Sequence, residues 1–166
     1  MDSALAPLFL AHSVSKLEQM TGYLEICLMR LSPEQLWHRE NDSENAPGNL
    51  VLHLIGNVKQ WIGHTLGGHE DTRNRDGEFA PGQHHAPAQV AEALRRTVDE
   101  AVAIILSLTP ERLAERVSSQ DGERTALEVV YQVVGHFQQH TGQVIYATKH
   151  ITGQDLGLYR PAPKNA

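Results

Sequence analysis

Between Thr125 and Gly153 the sequence reads TALEVVYQVVGHFQQHTGQVIYATKHITG. Thr125 and Glu128 form a T-x-x-E capping box, which satisfies orphan backbone donors at a helix start. Gly153 suits the left-handed turn that closes a helix. Between them Ala126, Val129, Val133, Phe137, Val144, Ala147 and Ile151 recur at helical spacing as one apolar stripe. His136 and His140 lie inside that stripe, with Cβ atoms expected about 5–6 Å apart on one face. Two readings are open. In one, each imidazole is neutral, buried and hydrogen-bonded to a facing helix. In the other, both are ligands to a divalent metal, because the i, i+4 pair lets one helix offer two ligands to one ion. Protonating both would set like charges about 6 Å apart in a poorly solvated stripe. The pair is therefore neutral, shared with a carboxylate, or metallated.

Three further helices are expected upstream. Leu10, Val14, Leu17, Leu24, Leu28 and Leu31 set the first, over residues 3 to 31, ending at Ser32-Pro33 because the residue before a proline is pushed out of the helical region. A polar loop over residues 39 to 49 precedes the second, from Pro47 to Leu66, stopped by Gly67-Gly68. Stepping about 100° per residue from Leu50, its apolar residues fall between 0° and about 140°, whereas His53, Asn57, Gln60 and His64 fall between about −80° and −20°. That line reads either as one wall of a polar cleft or as a partly exposed face. The third helix spans Pro87 to Leu108. Leu31-Ser32-Pro33-Glu34-Gln35-Leu36 and Leu108-Thr109-Pro110-Glu111-Arg112-Leu113 repeat one punctuation, suggesting a duplicated helical hairpin and hence a four-helix bundle.

Residues 67 to 86 (GGHEDTRNRDGEFAPGQHHA) are rich in glycine, proline and charge, so no helix is expected there. Long connections of this kind often serve as lids or binding segments. Arg73, Arg75, Asp76 and Glu78 are candidates to grip a charged substrate, and Phe79 to anchor the loop; solvated charges with one anchoring aromatic are the alternative. Residues 1–153 are read as one domain and 154–166 as a tail, packed loosely on the bundle or against a partner.

Composition excludes several classes. No run of about eighteen apolar residues appears, so no membrane span is expected. The N-terminus lacks a basic segment followed by an apolar run, and Cys27 is the single cysteine; a cytoplasmic protein is expected. With 14 basic and 20 acidic residues the formal net charge is −6, and no basic cluster offers a footprint for nucleic acid.

If the second and fourth helices are neighbours, His53 meets His136 and His140 across their interface, leaving a coordination position open as in catalytic sites. Asn57 and Gln143 share the relevant faces and are expected to orient ligands or substrate. Leu52-His53-Leu54 with Asn57 and Trp61, followed by His136-Phe137-Gln138-Gln139-His140-Thr141-Gly142-Gln143-Val144, resembles the DinB/YfiT-like superfamily of metalloenzymes, and the RNRDGEF loop resembles one uncharacterised branch of it. The resemblance implies an all-α four-helix bundle, a divalent metal on His53, His136 and His140, a low-molecular-weight thiol as co-substrate, and a homodimer, to which Trp37 or the tail would contribute. Zinc and nickel suit neutral nitrogen ligands, and iron(II) also accepts imidazole. The expected function is a metal-dependent thiol transferase or hydrolase acting on a small molecule, with Arg73 and Arg75 binding an anionic part of it. No general base stands out. The alternatives are a non-catalytic metal-binding bundle and a plain structural bundle with hydrogen-bonded histidines.

Overall fold

The structure, a computed structural model, describes residues 5–159. Ser3 and Ala4 of the expected first helix, and residues 160–166 of the expected tail, lie outside the described residues. Four long helices carry the fold: α1 (Leu5–Leu28), α3 (Pro47–Val58, continued by a π-helical segment Lys59–His64), α5 (Pro87–Leu106) and α7 (Ala126–Thr152). Short helices α2 (Pro33–Leu36), α4 (Arg75–Phe79) and α6 (Pro110–Ala114), and strands β1 (Arg116–Ser119) and β2 (Gly122–Thr125), fill the connections. The all-α four-helix bundle expected from the sequence is the architecture found. One contiguous core runs from Ala6 to Leu156, with Leu17, Leu24, Leu54, Ile62, Leu94, Ile105 and Phe137 fully buried. Each such side chain stabilises the fold by about 1.5–3 kcal/mol relative to exposure.

Helix order follows from a few contacts. α1 packs on α5 and α7, and α3 packs on the same two, so α1 and α3 stand on one diagonal and α5 and α7 on the other. The starts of α3 and α5 meet at Trp37, whose ring lies against Gly48 and whose Nε1–H donates to the carbonyl of His85. Gly67, beyond the π-helical segment, abuts Ile104 near the end of α5. α3 and α5 are therefore parallel neighbours. By contrast, α3 and α7 are antiparallel, since His53 meets His136 while Arg124 lies over Trp61. Parallel neighbours need a connection that returns along the bundle, which explains the long link from residue 67 to 86. Trp37 thus joins the starts of α3 and α5 while staying half-buried.

Several expectations need correction. The two halves share their punctuation, with Ser32 and Thr109 each capping a short proline-led helix, but the long helices of each half lie diagonally and form no hairpin. The segment read as helix-free contains α4, because the Asn74 side chain accepts from the Gly77 N–H and caps one turn. The connection between α6 and α7, where no strand was expected, forms the antiparallel β1–β2 hairpin, turning at Gln120-Asp121 into Gly122 at φ 114°. Asp121-Gly122 is a hairpin signal that the helical pattern around it obscured. The first and third helices stop at Leu28 and Leu106, earlier than expected. In the tail, Leu156 is buried and Tyr159 meets Tyr23 edge-on, so residues 154–159 pack on the bundle.

Candidate metal centre

The three histidines meet. His53 comes from the middle of α3, and His136 and His140 from successive turns of α7; one ring nitrogen of each lies within 4.8 Å of the others. Ring centroids are 4.9 Å apart for His53–His136, 5.0 Å for His53–His140 and 4.4 Å for His136–His140. His53 is buried, while His136 and His140 are half-buried, so the cluster opens to solvent along α7.

The hydrogen-bond partners decide which nitrogen of each ring is free. His53 Nδ1 lies 2.8 Å from Glu78 Oε2, so it carries the proton and donates to the carboxylate. His140 Nδ1 likewise donates to Gln143 Oε1 at 2.6 Å. Both rings therefore hold an unprotonated Nε2. His53 Nε2 faces His136 Nε2 at 2.9 Å, a contact satisfied when His136 donates there. Burial, with the nearby imidazoles and arginines, pushes the pKa of His136 down to about 4. Burial also lowers that of His140, against an opposing pull from Gln143. The α7 pair is thus neutral at pH 7.

Behind His53 stands a chain of charges delivered by the 67–86 connection. Burial raises the Glu78 carboxyl, but hydrogen bonds from His53 and Arg73 and the Arg73 charge together hold it below the usual range. Arg73 donates from Nε to Glu78 Oε1 at 2.8 Å and from Nη2 to Oε2 at 3.0 Å. Its Nη1 donates to Gln60 Oε1 at 2.9 Å, and Gln60 Nε2 donates to Asp71 at 2.8 Å. Gln60 belongs to the π-helical segment, a local widening of the helix that often marks functional sites. Asn49 donates to the Glu78 carbonyl and Arg39 to that of Phe79, pinning the strap at its far end. Gly56 makes the close approach possible, because a Cβ there would collide with the Glu78 carboxylate.

Each expected site residue can now be placed. His53, His136, His140 and Gln143 come together. Arg73 lies behind His53 with its nitrogens engaged by protein acceptors, and Arg75 is exposed over the Phe79 ring, which itself packs 4.9 Å from His53. Asn57 is buried one turn from His53, and its side chain makes no hydrogen bond to another described residue. Glu78, read from the sequence only as a substrate contact, is the residue whose role was missed. The spacing of a loop carboxylate carries no periodic signal. A cleft of about 530 Å³ lies between α3, α5 and the strap, floored by Leu52, Ile55, Ala101 and Ile104. Arg73 and Glu78 line it, but His53, His136 and His140 do not. Cys27 is buried near Thr148, and burial raises its thiol pKa, so it is inert as a nucleophile.

The donor set fits a divalent ion. The α7 imidazoles are neutral, two rings have the far nitrogen anchored on an oxygen, and that is the outer arrangement that orients metal-binding histidines. Glu78 and Gln143 are those oxygens.

No curated protein matches the chain. Among solved structures, it is similar to a DinB-like protein (YjoA) from Bacillus subtilis, with 14% sequence identity, a TM-score of 0.66 and coverage of 87% of this chain and 93% of that one. This shows the DinB-like fold. The family model described as "Protein of unknown function (DUF1572)" matches residues 4–160, and the chain, with its DinB-like bundle, belongs to that family.

Proposed function

We propose that His53, His136 and His140 hold a divalent cation, zinc or nickel in the first place and iron(II) next, and that the protein is a metal-dependent transferase or hydrolase. The observation that carries this reading is the fixed pair of Nδ1–H groups, on Glu78 and Gln143, which turns two Nε2 lone pairs toward one point beside His136. The chemistry such an ion supplies is Lewis-acid activation of a thiol or water as a nucleophile near neutral pH. The residues of the chain do the rest. Glu78 keeps the His53 proton on Nδ1, and Arg73 keeps Glu78 ionised and in place. Phe79 covers one side of His53 and limits water there. Arg75, exposed beside Phe79, is suited to an anionic group on a small-molecule substrate or on a low-molecular-weight thiol. Asn57, one turn along α3, is a further polar side chain on the same face.

A second reading is a non-catalytic site that clamps the bundle, favoured by the way the cluster bridges α3 and α7. Metal content of the purified protein, measured beside His53→Ala and His140→Ala, tests the shared claim. About one equivalent lost in both variants is expected. Turnover with small thiols or hydrolysable esters by the loaded protein then separates enzyme from clamp.

A further inference from the structure

Small residues on two walls keep open the cleft between α3, α5 and the strap. On α3 and its π-helical continuation, Leu52, Gly56, Lys59 and Gly63 recur every three or four residues and line it. On α5, Thr97, Glu100, Ala101 and Ile104 do the same. The Glu78 carboxylate occupies the room beside Gly56. At Gly63, by contrast, a Cβ would meet only the His69 ring, at 3.4 Å. The roof is tied to α3 or to itself: Asp71 and Arg73 bond to Gln60, and Gln83 donates to the Gly77 carbonyl. Among the described residues no hydrogen bond or ion pair joins residues 69–83 to α5, so nothing polar pulls the cleft shut. A preformed space of about 530 Å³ with an aliphatic floor is the size and kind that takes a small organic molecule.

The charges on the lining select the ligand. Arg73 is matched by Glu78. Counting histidine as neutral, what remains is Glu70, Asp71 and Glu100 against the ammonium of Lys59. Asp71 already accepts from Gln60 and from the Arg73 N–H. Glu70 on the strap and Glu100 on α5 are exposed, and neither makes a hydrogen bond or ion pair among the described residues. Lys59, on the third wall, offsets one carboxylate at most. Thr97, buried beside the floor, gives its hydroxyl proton to the Ala93 carbonyl, so what it has left to offer is a lone pair. An aliphatic floor, a spare acceptor and surplus negative charge complement an apolar body that carries N–H donors. We propose that this cleft is a ligand site in its own right and takes a small organic cation. Its apolar body lies on Leu52, Ile55, Ala101 and Ile104, with the ammonium group toward Glu70 and Glu100. His53, His136 and His140 do not line the cleft, so this inference does not depend on the metal.

Titration of the isotope-labelled full-length protein with 2-phenylethylammonium, followed by amide NMR shifts, tests it. Two further probes, 2-phenylethanol and 3-phenylpropanoate, keep the body and change the charge. The amides of Ile55, Thr97, Ala101 and Ile104 are expected to shift and saturate with the cation, the alcohol binding about tenfold more weakly and the anion more weakly still. Glu70→Gln and Glu100→Gln, singly and together, change exposed residues without partners and so leave the fold intact. Together they should bring the cation down to the level of the alcohol. Glu92→Gln, at an exposed glutamate of α5 outside the cleft, should leave its affinity unchanged. No saturable shift at the four amides overturns the proposal. So does an alcohol or anion that binds as tightly as the cation, or a preference for the cation that survives the double substitution.

Discussion

Glu78 and Gly56 act on the same bond from opposite sides. Glu78 accepts the His53 Nδ1 proton, and Gly56 leaves the space in which the carboxylate sits. Loss of an outer partner of a metal-binding histidine typically costs about 10–100-fold in affinity. Glu78→Gln and Gly56→Ala are both expected to weaken zinc binding by that order in a competition titration against a chelator; unchanged affinity in both would remove Glu78 from the site. The fate of His136 is read by pH. Its folded pKa of about 4 lies below the ordinary 6.5, so between these values the unfolded chain binds the extra proton. Stability of the metal-free protein is therefore expected to be flat above about pH 6.5 and to fall as pH drops toward 4. Denaturant melts across that range, native beside His136→Gln, check it, and the variant should lose much of the slope. The histidines themselves were legible, because two sit one turn apart in a core stripe and the third heads a polar line. Glu78 was not, since its place depends on how a loop folds back over 25 residues.

Among the elements, α7 was readable almost to its ends because both caps are local chemistry. Thr125 accepts from the Glu128 N–H while Glu128 accepts from the Thr125 N–H, and Gly153 takes φ 66°. Thr125→Ala is expected to lower stability by about 1 kcal/mol in urea melts, with zinc affinity of the folded protein unchanged. The strap is the opposite case. Its one helical turn depends on Asn74, and its rigidity on the nine-tenths-buried Arg73–Glu78 pair, which periodicity cannot show. Removing one partner of a buried pair strands the other charge and costs about 3–5 kcal/mol. Arg73→Ala should therefore be strongly destabilising, while Arg75→Ala, exposed over Phe79, should stay within about 0.5 kcal/mol of the native protein. Equal effects in thermal melts would contradict the assigned roles. The π-helical segment escaped sequence reading for a related reason: it adds no residue type that a regular helix lacks, yet it aims Gln60 at Arg73.

At the scale of the molecule, helix number was readable and helix order was not. Apolar stripes on four segments specify that four helices bury one core, but they do not say which stripe meets which. The decisive contacts are non-local: Trp37 with Gly48 and His85, and Gly67 with Ile104. They make α3 and α5 parallel neighbours, so the chain must cross back over the α3 surface, and that return path is what places Glu78 on His53. The fold thus builds the candidate centre in two layers, with imidazoles from α3 and α7 inside and a strap behind them. X-ray absorption at the zinc edge, on the protein loaded with one equivalent of zinc, tests this arrangement most directly. Three imidazole ligands at about 2.0–2.1 Å are expected, falling to two or to no bound metal in His140→Ala. A spectrum with fewer than three imidazoles in the native protein, or one unchanged by His140→Ala, would contradict it.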